Sequence, residues 1–224
     1  MARPLDDQGR ALLDAASKLL TTEGIGALTV RRMAAAAGCS TMGVYSRFGG
    51  KDGVLEELYK EGVRRLFSAV DEVGDTDDPL DDLRRCLLQY RRNALDNASH
   101  YLIVFGGAAP GFVPSPDAHT ESLASFARLA TRVERAQHAG LLIASEPPEQ
   151  IAELIWGTIH GHVMLEIVGM SAAHVDPEQR YQRTIDVLLR GLAPQPDEPD
   201  EPVAGRAAEP DRGGRSSRRG AGGI

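Results

Sequence analysis

Residues 24–51 read GIGALTVRRMAAAAGCSTMGVYSRFGGK and hold the densest run of groups with chemistry to offer. Four cations, Arg31, Arg32, Arg47 and Lys51, stand there without a single acid, although the whole chain carries a formal charge of −7. Hydroxyls accompany them at Thr29, Ser40, Thr41, Tyr45 and Ser46, with a thioether at Met42. Cations and hydroxyls of this kind bind phosphate oxygens, and at the right depth they also meet base edges. The rest of the chain does not share the character. Residues 1–60 carry 8 Lys+Arg against 7 Asp+Glu, whereas residues 61–192 carry 12 against 19. Such a layout is a local phosphate-binding face on a body that repels polyanions, not a general polyanion surface.

These groups need a frame, and the segment supplies one. Gly38 divides it into two short helical pieces, Thr29 to Ala37 and Ser40 to Arg47. Both open on a hydroxyl able to cap a free N–H. Val30, Met33, Ala34, Ala37, Val44 and Phe48 provide inward apolar positions, and the run Ala34 to Ala37 suits a close crossing. Two helices joined by so short a glycine turn have helix-turn-helix geometry, in which the second helix enters the major groove.

Helical periodicity dominates the remainder, so the expected fold class is all-α with about nine helices. An apolar stripe from Leu12 to Leu20 predicts a helix over about 7–22, ended by Gly24. Val54, Leu55, Leu58, Val63, Leu66, Phe67 and Val70 predict another over about 52–73. Asp78-Pro79, Ser115-Pro116 and Asp176-Pro177 each pair a capping acceptor with a proline at the first helical position. With a further start at Pro147-Pro148, they predict helices over about 79–97, 117–140, 148–170 and 177–191, and a short one lies over about 100–106. Beyond Leu192 the Pro-, Gly- and charge-rich composition predicts a disordered tail, whose Arg212 to Gly220 end could touch nucleic acid. Cys39 and Cys86 are too few for a disulfide framework and fit a reducing cytoplasm. The apolar run at residues 101–105 is far short of the ~20 residues a membrane span needs.

The segment resembles the DNA-binding domain of the TetR family of bacterial regulators. The matching features are the Thr29-Val30 helix start, the Ala-Ala-Gly turn, the Ser40…Tyr45…Phe48 spacing, and Gly49-Gly50-Lys51-Asp52 followed by Val54-Leu55. Cys39 stands where an aliphatic residue is usual, and Gly43 weakens a helix interior by roughly 1 kcal/mol relative to Ala. The resemblance implies phosphate contacts at Thr29, Ser40, Tyr45 and Lys51, and Arg31 is a further candidate DNA-binding residue. It implies base-edge reading by Thr41, Met42, Gly43, Ser46 and Arg47. The partner would be double-stranded DNA, met by a homodimer.

The chain then divides into a helix-turn-helix domain (1–52), a helical effector-binding and dimerisation domain (53–192) and the tail (193–224). Trp156-Gly157-Thr158-Ile159-His160-Gly161 is similar to the Trp…His-Gly signature of one TetR C-terminal subfamily. Tyr101, Phe105, Phe112, Phe126, Trp156 and His160 are candidate walls of a pocket for a small, unidentified effector. Core packing is the plainer reading of the same aromatics. Ile151, Leu154, Ile155, Thr158, His162 and Leu165 on one helix, with Ile185, Leu188, Leu189 and Leu192 on the next, are candidate dimer-interface residues. The implied function is a ligand-responsive repressor; the alternatives are an activator of the same family or a helical protein-interaction module.

No constellation supports an enzyme, a metal or a cofactor. His160 and His162 are two apart on a helix and diverge, and neither a Gly-rich phosphate loop nor a GxSxG motif is present.

Overall fold

The computed structural model describes residues 5–105, 109, 111–171 and 174–195. The tail from residue 196, with its basic end, therefore lies outside the described residues, as do parts of the two connections after Phe105 and Ser171.

Capping chemistry starts most of the helices where local sequence predicts. Helix α1 (Asp7–Glu23) begins with the Asp6 carboxylate accepting the Gly9 N–H at 2.7 Å. After a short 3-10 turn at Ile25–Ala27, which periodicity did not predict, α2 (Val30–Ala36) is capped by Thr29 and α3 (Thr41–Phe48) by Ser40. Helix α4 (Lys51–Asp71) follows at once. Helices α5 (Pro79–Asp96), α7 (Pro116–His138) and α9 (Pro177–Gly191) start on Asp78, Ser115 and Asp176, each with proline at the first position. Helix α6 (Ala98–Phe105) and α8 (Pro148–Ile167) complete nine α-helices among the described residues, with no strand. Helix α8 stops three residues before its predicted end, where Gly169 turns left-handed at φ 71° and Met170 N–H bonds back to Leu165 O.

Two apolar cores hold these helices. The first takes Leu12, Ala16 and Leu20 of α1, Met33 of α2, Val44 and Phe48 of α3, and Val54, Leu55, Leu58 and Val63 of α4. It also takes Ile103 of α6 and Ala118 of α7, so the core beneath the helix-turn-helix extends well past residue 52. The second joins Leu83, Leu87 and Tyr90 of α5 to Val133 of α7, Ile151, Ile155 and Ile159 of α8, and Tyr181, Ile185 and Leu189 of α9.

Helix α6 touches both. His100 is buried, with its Nε2 3.1 Å from Ser17 Oγ of α1. A Cβ at Gly62 of α4 would lie 2.9 Å from Val104 and 3.2 Å from His100 O, so only glycine lets α4 and α6 come so close. Tyr101 and Phe105 belong to the second core's side.

Helix α7 secures the end of α4. Arg132 donates to Val70 O in the last turn of α4 at 3.3 Å and to Val73 O just beyond it at 2.8 Å, tying down the carbonyls where the helix ends. One turn on, Arg135 donates to Thr76 O and meets the buried Asp82. Burial opposes ionisation of Asp82, but the Thr76 N–H and hydroxyl, Arg135 and Arg85 outweigh it and hold the carboxyl down at about 2.

Among the described residues no helix is long and apolar enough to cross a membrane.

Candidate functional site

The outward face of α3 collects most of the groups singled out from sequence. Ser40 Oγ accepts the Gly43 N–H at 3.2 Å, and Thr29 Oγ1 accepts the Arg32 N–H at 3.3 Å, fixing both helix starts. Thr41, Met42, Tyr45 and Ser46 stand exposed on α3; Met42 is 71% and Tyr45 54% exposed, large values for apolar or aromatic groups. Exposed apolar and aromatic groups of this size, set close together on one short helix, are unusual for a face that only meets solvent. Arg31 and Lys51 are exposed at the flanks. Arg32 is turned away and paired with Glu23 at 2.6 Å.

Gly43 is half-buried beside Cys39 and Arg47, with room for a Cβ at 3.5 Å from either, so its own packing does not require glycine. The corner into α4 does. Gly49 and Gly50 adopt φ 71° and 129°, and the Tyr45 ring sits over Gly50, where a Cβ would come within 3.4 Å of it. A Cβ on Gly53 would lie 1.7 Å from Phe48 O.

Arg47 differs from the other candidate readers. Its Nε donates to Asp6 Oδ1 at 2.9 Å, and its Nη2 donates to Asp6 Oδ2 at 3.0 Å and Gln8 Oε1 at 2.9 Å. Nη1 reaches back to Gly43 O at 3.4 Å. The hydrogen bonds to Asp6 raise its pKa against the opposing effect of burial. Neither Asp6 nor Gln8 was identifiable from sequence, because both lie about forty residues from Arg47.

Five of the six predicted pocket walls do meet. Trp156 and His160 stack at 5.1 Å between ring centres; Phe105 lies 5.9 Å from Trp156 and 5.1 Å from His160. Tyr101 is 4.8 Å from Phe105, and Phe126 is 6.4 Å from Trp156. Phe112 is the exception. It packs on Tyr59 of α4 at 6.3 Å against the first core, and nearby Ser115 is held to the same helix by its N–H donating to Glu56 Oε2 at 3.1 Å.

Tyr90, which sequence reasoning passed over, is the hub of this cluster. Its hydroxyl lies 2.6 Å from Tyr101 Oη and 3.3 Å from His160 Nδ1, and it accepts the Trp156 Nε1–H at 3.3 Å. Tyr101 Oη is itself 2.7 Å from His160 Nδ1. Burial pushes Tyr90 up to about 12 and moves His160 downward, so the linked groups are neutral near pH 7. The signal available was the stripe Leu83, Leu87, Tyr90: a tyrosine at a core position needs a hydroxyl partner. The arrangement is a packed aromatic cluster that holds a few neutral donors and acceptors among its rings.

The predicted interface residues divide by burial. Ile151, Ile155, Ile185, Leu189 and Leu192 are interior to this single chain and cannot form its outer face, and Leu188 is half-buried against the same core. Leu154 and Leu165 point outward, with half-buried Thr158 and His162 between them; His162 Nε2 is 3.1 Å from Thr184 Oγ1 of α9. Val168, Met170 and Val187, not singled out from sequence, are exposed as well.

Two family models match the chain. One, described as bacterial regulatory proteins, tetR family, matches residues 12–58. The other, described as tetracyclin repressor-like, C-terminal domain, matches residues 83–188. Among solved structures, a protein with unknown function from Rhodococcus sp. RHA1 is similar with a TM-score of 0.74 and 24% identity, over 85% of this chain and 97% of that one. The TetR family transcriptional regulator PfmR from Thermus thermophilus gives 0.62 and 21%, over 82% and 99%. The fatty acid degradation regulator FadR from Bacillus halodurans gives 0.66 and 16%, over 85% and 98%. At such identities the structures share a fold. No curated protein matches the sequence.

Proposed function

Because this chain belongs to the TetR family of transcriptional regulators, we propose that it acts as a homodimeric repressor, binding a palindromic operator until a small effector releases it. The observation that carries the reading is the face of α3, where Thr41, Met42, Tyr45 and Ser46 stand exposed on a helix that, like α2 before it, starts on a hydroxyl cap. In this reading Thr29, Ser40, Tyr45 and Lys51 hold phosphates, with Arg31 beside them, and fix the register of the head on the duplex. Thr41, Met42, Gly43, Ser46 and Arg47 read base edges. Met42 meets a thymine methyl and Arg47 a guanine.

Two copies join through α8 and α9. The support is an outward row of Leu154, Leu165, Val168 and Val187, unusually apolar for an exposed helix pair. Two-fold symmetry then matches the two halves of a palindrome.

The effector binds in the aromatic cluster, displacing the contacts among Tyr90, Tyr101, Trp156 and His160. It favours the dimer state whose heads no longer fit successive major grooves, and it releases DNA to the extent that it binds that state more tightly.

Selection from a random duplex pool by the purified full chain at moderate salt tests the reading. Enrichment of a palindrome is the expected result. Weak binding that vanishes with rising salt and enriches no sequence would refute it.

A further inference from the structure

The guanidinium of Arg47, the one cation in α3, is already engaged in the free protein. Each of its nitrogens has an acceptor, and two of them clasp the Asp6 carboxylate side-on. Asp6 is not free to travel with it. Its Oδ1 also caps α1 at Gly9 N, 2.7 Å away, and the positive end of the α1 dipole favours a carboxylate there. Any DNA contact by Arg47 therefore has to break this clasp and leave an anion behind, beside the incoming polyanion.

We propose that Asp6 is a specificity-determining positioning residue: it withholds Arg47 from phosphates of arbitrary sequence and yields it to a guanine edge in the operator. The inference rests on the operator-binding reading above. A phosphate offers Arg47 the same charge and the same two-oxygen geometry that Asp6 already supplies, so that exchange gains little. Guanine O6 and N7 form a fixed pair in the groove, worth about five- to hundredfold in discrimination. An exposed carboxylate pair is worth about fivefold at most, so only the guanine contact outweighs it. Asp6 thereby weakens arbitrary binding more than operator binding, without touching DNA.

Asp6→Asn tests this, since asparagine caps a helix as well as aspartate does while removing the charge. The full chain is titrated against its selected operator and against an arbitrary duplex by fluorescence anisotropy over a salt series. Arbitrary binding is expected to tighten about three- to fivefold per head at low salt. The slope of log K against log salt steepens by about 0.9 per head, as Arg47 joins the phosphates. The operator-to-arbitrary ratio falls. In an Arg47→Ala background the same substitution changes neither slope nor ratio. An unchanged slope and ratio would overturn the inference, as would an equal effect without Arg47, which would mean that Asp6 acts on DNA directly. A uniform loss of affinity for both duplexes would assign Asp6 a merely structural role and overturn it too. If the parent chain selects no operator, the operator reading itself fails; if it selects one and Asp6→Asn is silent, this inference alone fails.

Discussion

Gly53→Ala should destabilise the DNA-binding head although alanine is the better helix former. Gly53 lies in the first turn of α4, where propensity alone predicts a gain of about 1 kcal/mol for the substitution. Geometry decides otherwise. The new Cβ would sit 1.7 Å from Phe48 O, and real Cβ atoms essentially never come closer than 3.0 Å, so the corner must open by the difference of 1.3 Å. Gly49 and Gly50 already hold positive φ values there, and Phe48, Val44 and Val54 are buried on its inner side. Opening it pulls α3 away from α4 and loosens the first core. Overpacking of well-packed sites costs about 1–3 kcal/mol; with backbone as the obstacle, about 3 kcal/mol is expected. In a chain of this size that lowers the melting temperature by about 6–12 °C. Thermal unfolding followed by circular dichroism at 222 nm measures it. Gly43→Ala is the control in the same head: its Cβ has ordinary contacts at 3.5 Å, so stability should hold or rise by up to about 1 kcal/mol. A Gly53→Ala protein melting within about 2 °C of the parent would refute the steric argument.

Burial, with Arg65 second, depresses His100 from 6.5 to about 4, so the unfolded chain takes up its proton first as pH falls. Its contribution is whole above about pH 6.5 and is lost between there and 4, amounting to about 2 kcal/mol between pH 7 and 5. Urea unfolding at both values should show His100→Gln with the flatter pH dependence; equal slopes would contradict this. Tyr90→Phe removes the hydroxyl that meets Tyr101, His160 and Trp156, so a loss of about 1–2 kcal/mol is expected. Emission from the lone tryptophan should shift with it; an unshifted spectrum and unchanged stability would remove Tyr90 from the hub. Leu165→Glu, placing a charge on the outward row of α8, should yield folded monomers in sedimentation and abolish operator binding at nanomolar concentration. A dimer that survives it would move the interface elsewhere.

Chemistry settled within four residues was legible in the sequence. Thr29, Ser40, Asp78, Ser115 and Asp176 announced their helices because a cap is a contact between near neighbours. The α3 face was legible for the same reason, as its side chains and spacing sit on one short helix. Helix α8 was read less well, since it is apolar on several sides. Spacing of three and four picks out Ile151 and Ile155, which face inward, as readily as Leu154 and Leu165, which face outward. Phe112 carried no periodicity at all, and its packing on Tyr59 joins residues more than fifty apart in the chain. The clasp of Arg47 by Asp6 and the crowding at Gly53 arise where separate helices meet. A local pattern has no term for either.

The eight residues of α6 are shared property. On one side His100, Ile103 and Val104 complete the packing of α1 and α4; on the other Tyr101 and Phe105 form part of the aromatic cluster. A chimera joined at residue 52 would strip not only Val54, Leu55, Leu58 and Val63 of α4 but also Ile103 and Ala118 from the core beneath the helix-turn-helix, and expose what they cover. The smallest portable head thus carries α4, α6 and the start of α7 with it, and brings Tyr101 and Phe105 of the aromatic cluster along. This scaffold therefore lends itself to single substitutions more readily than to exchange of parts.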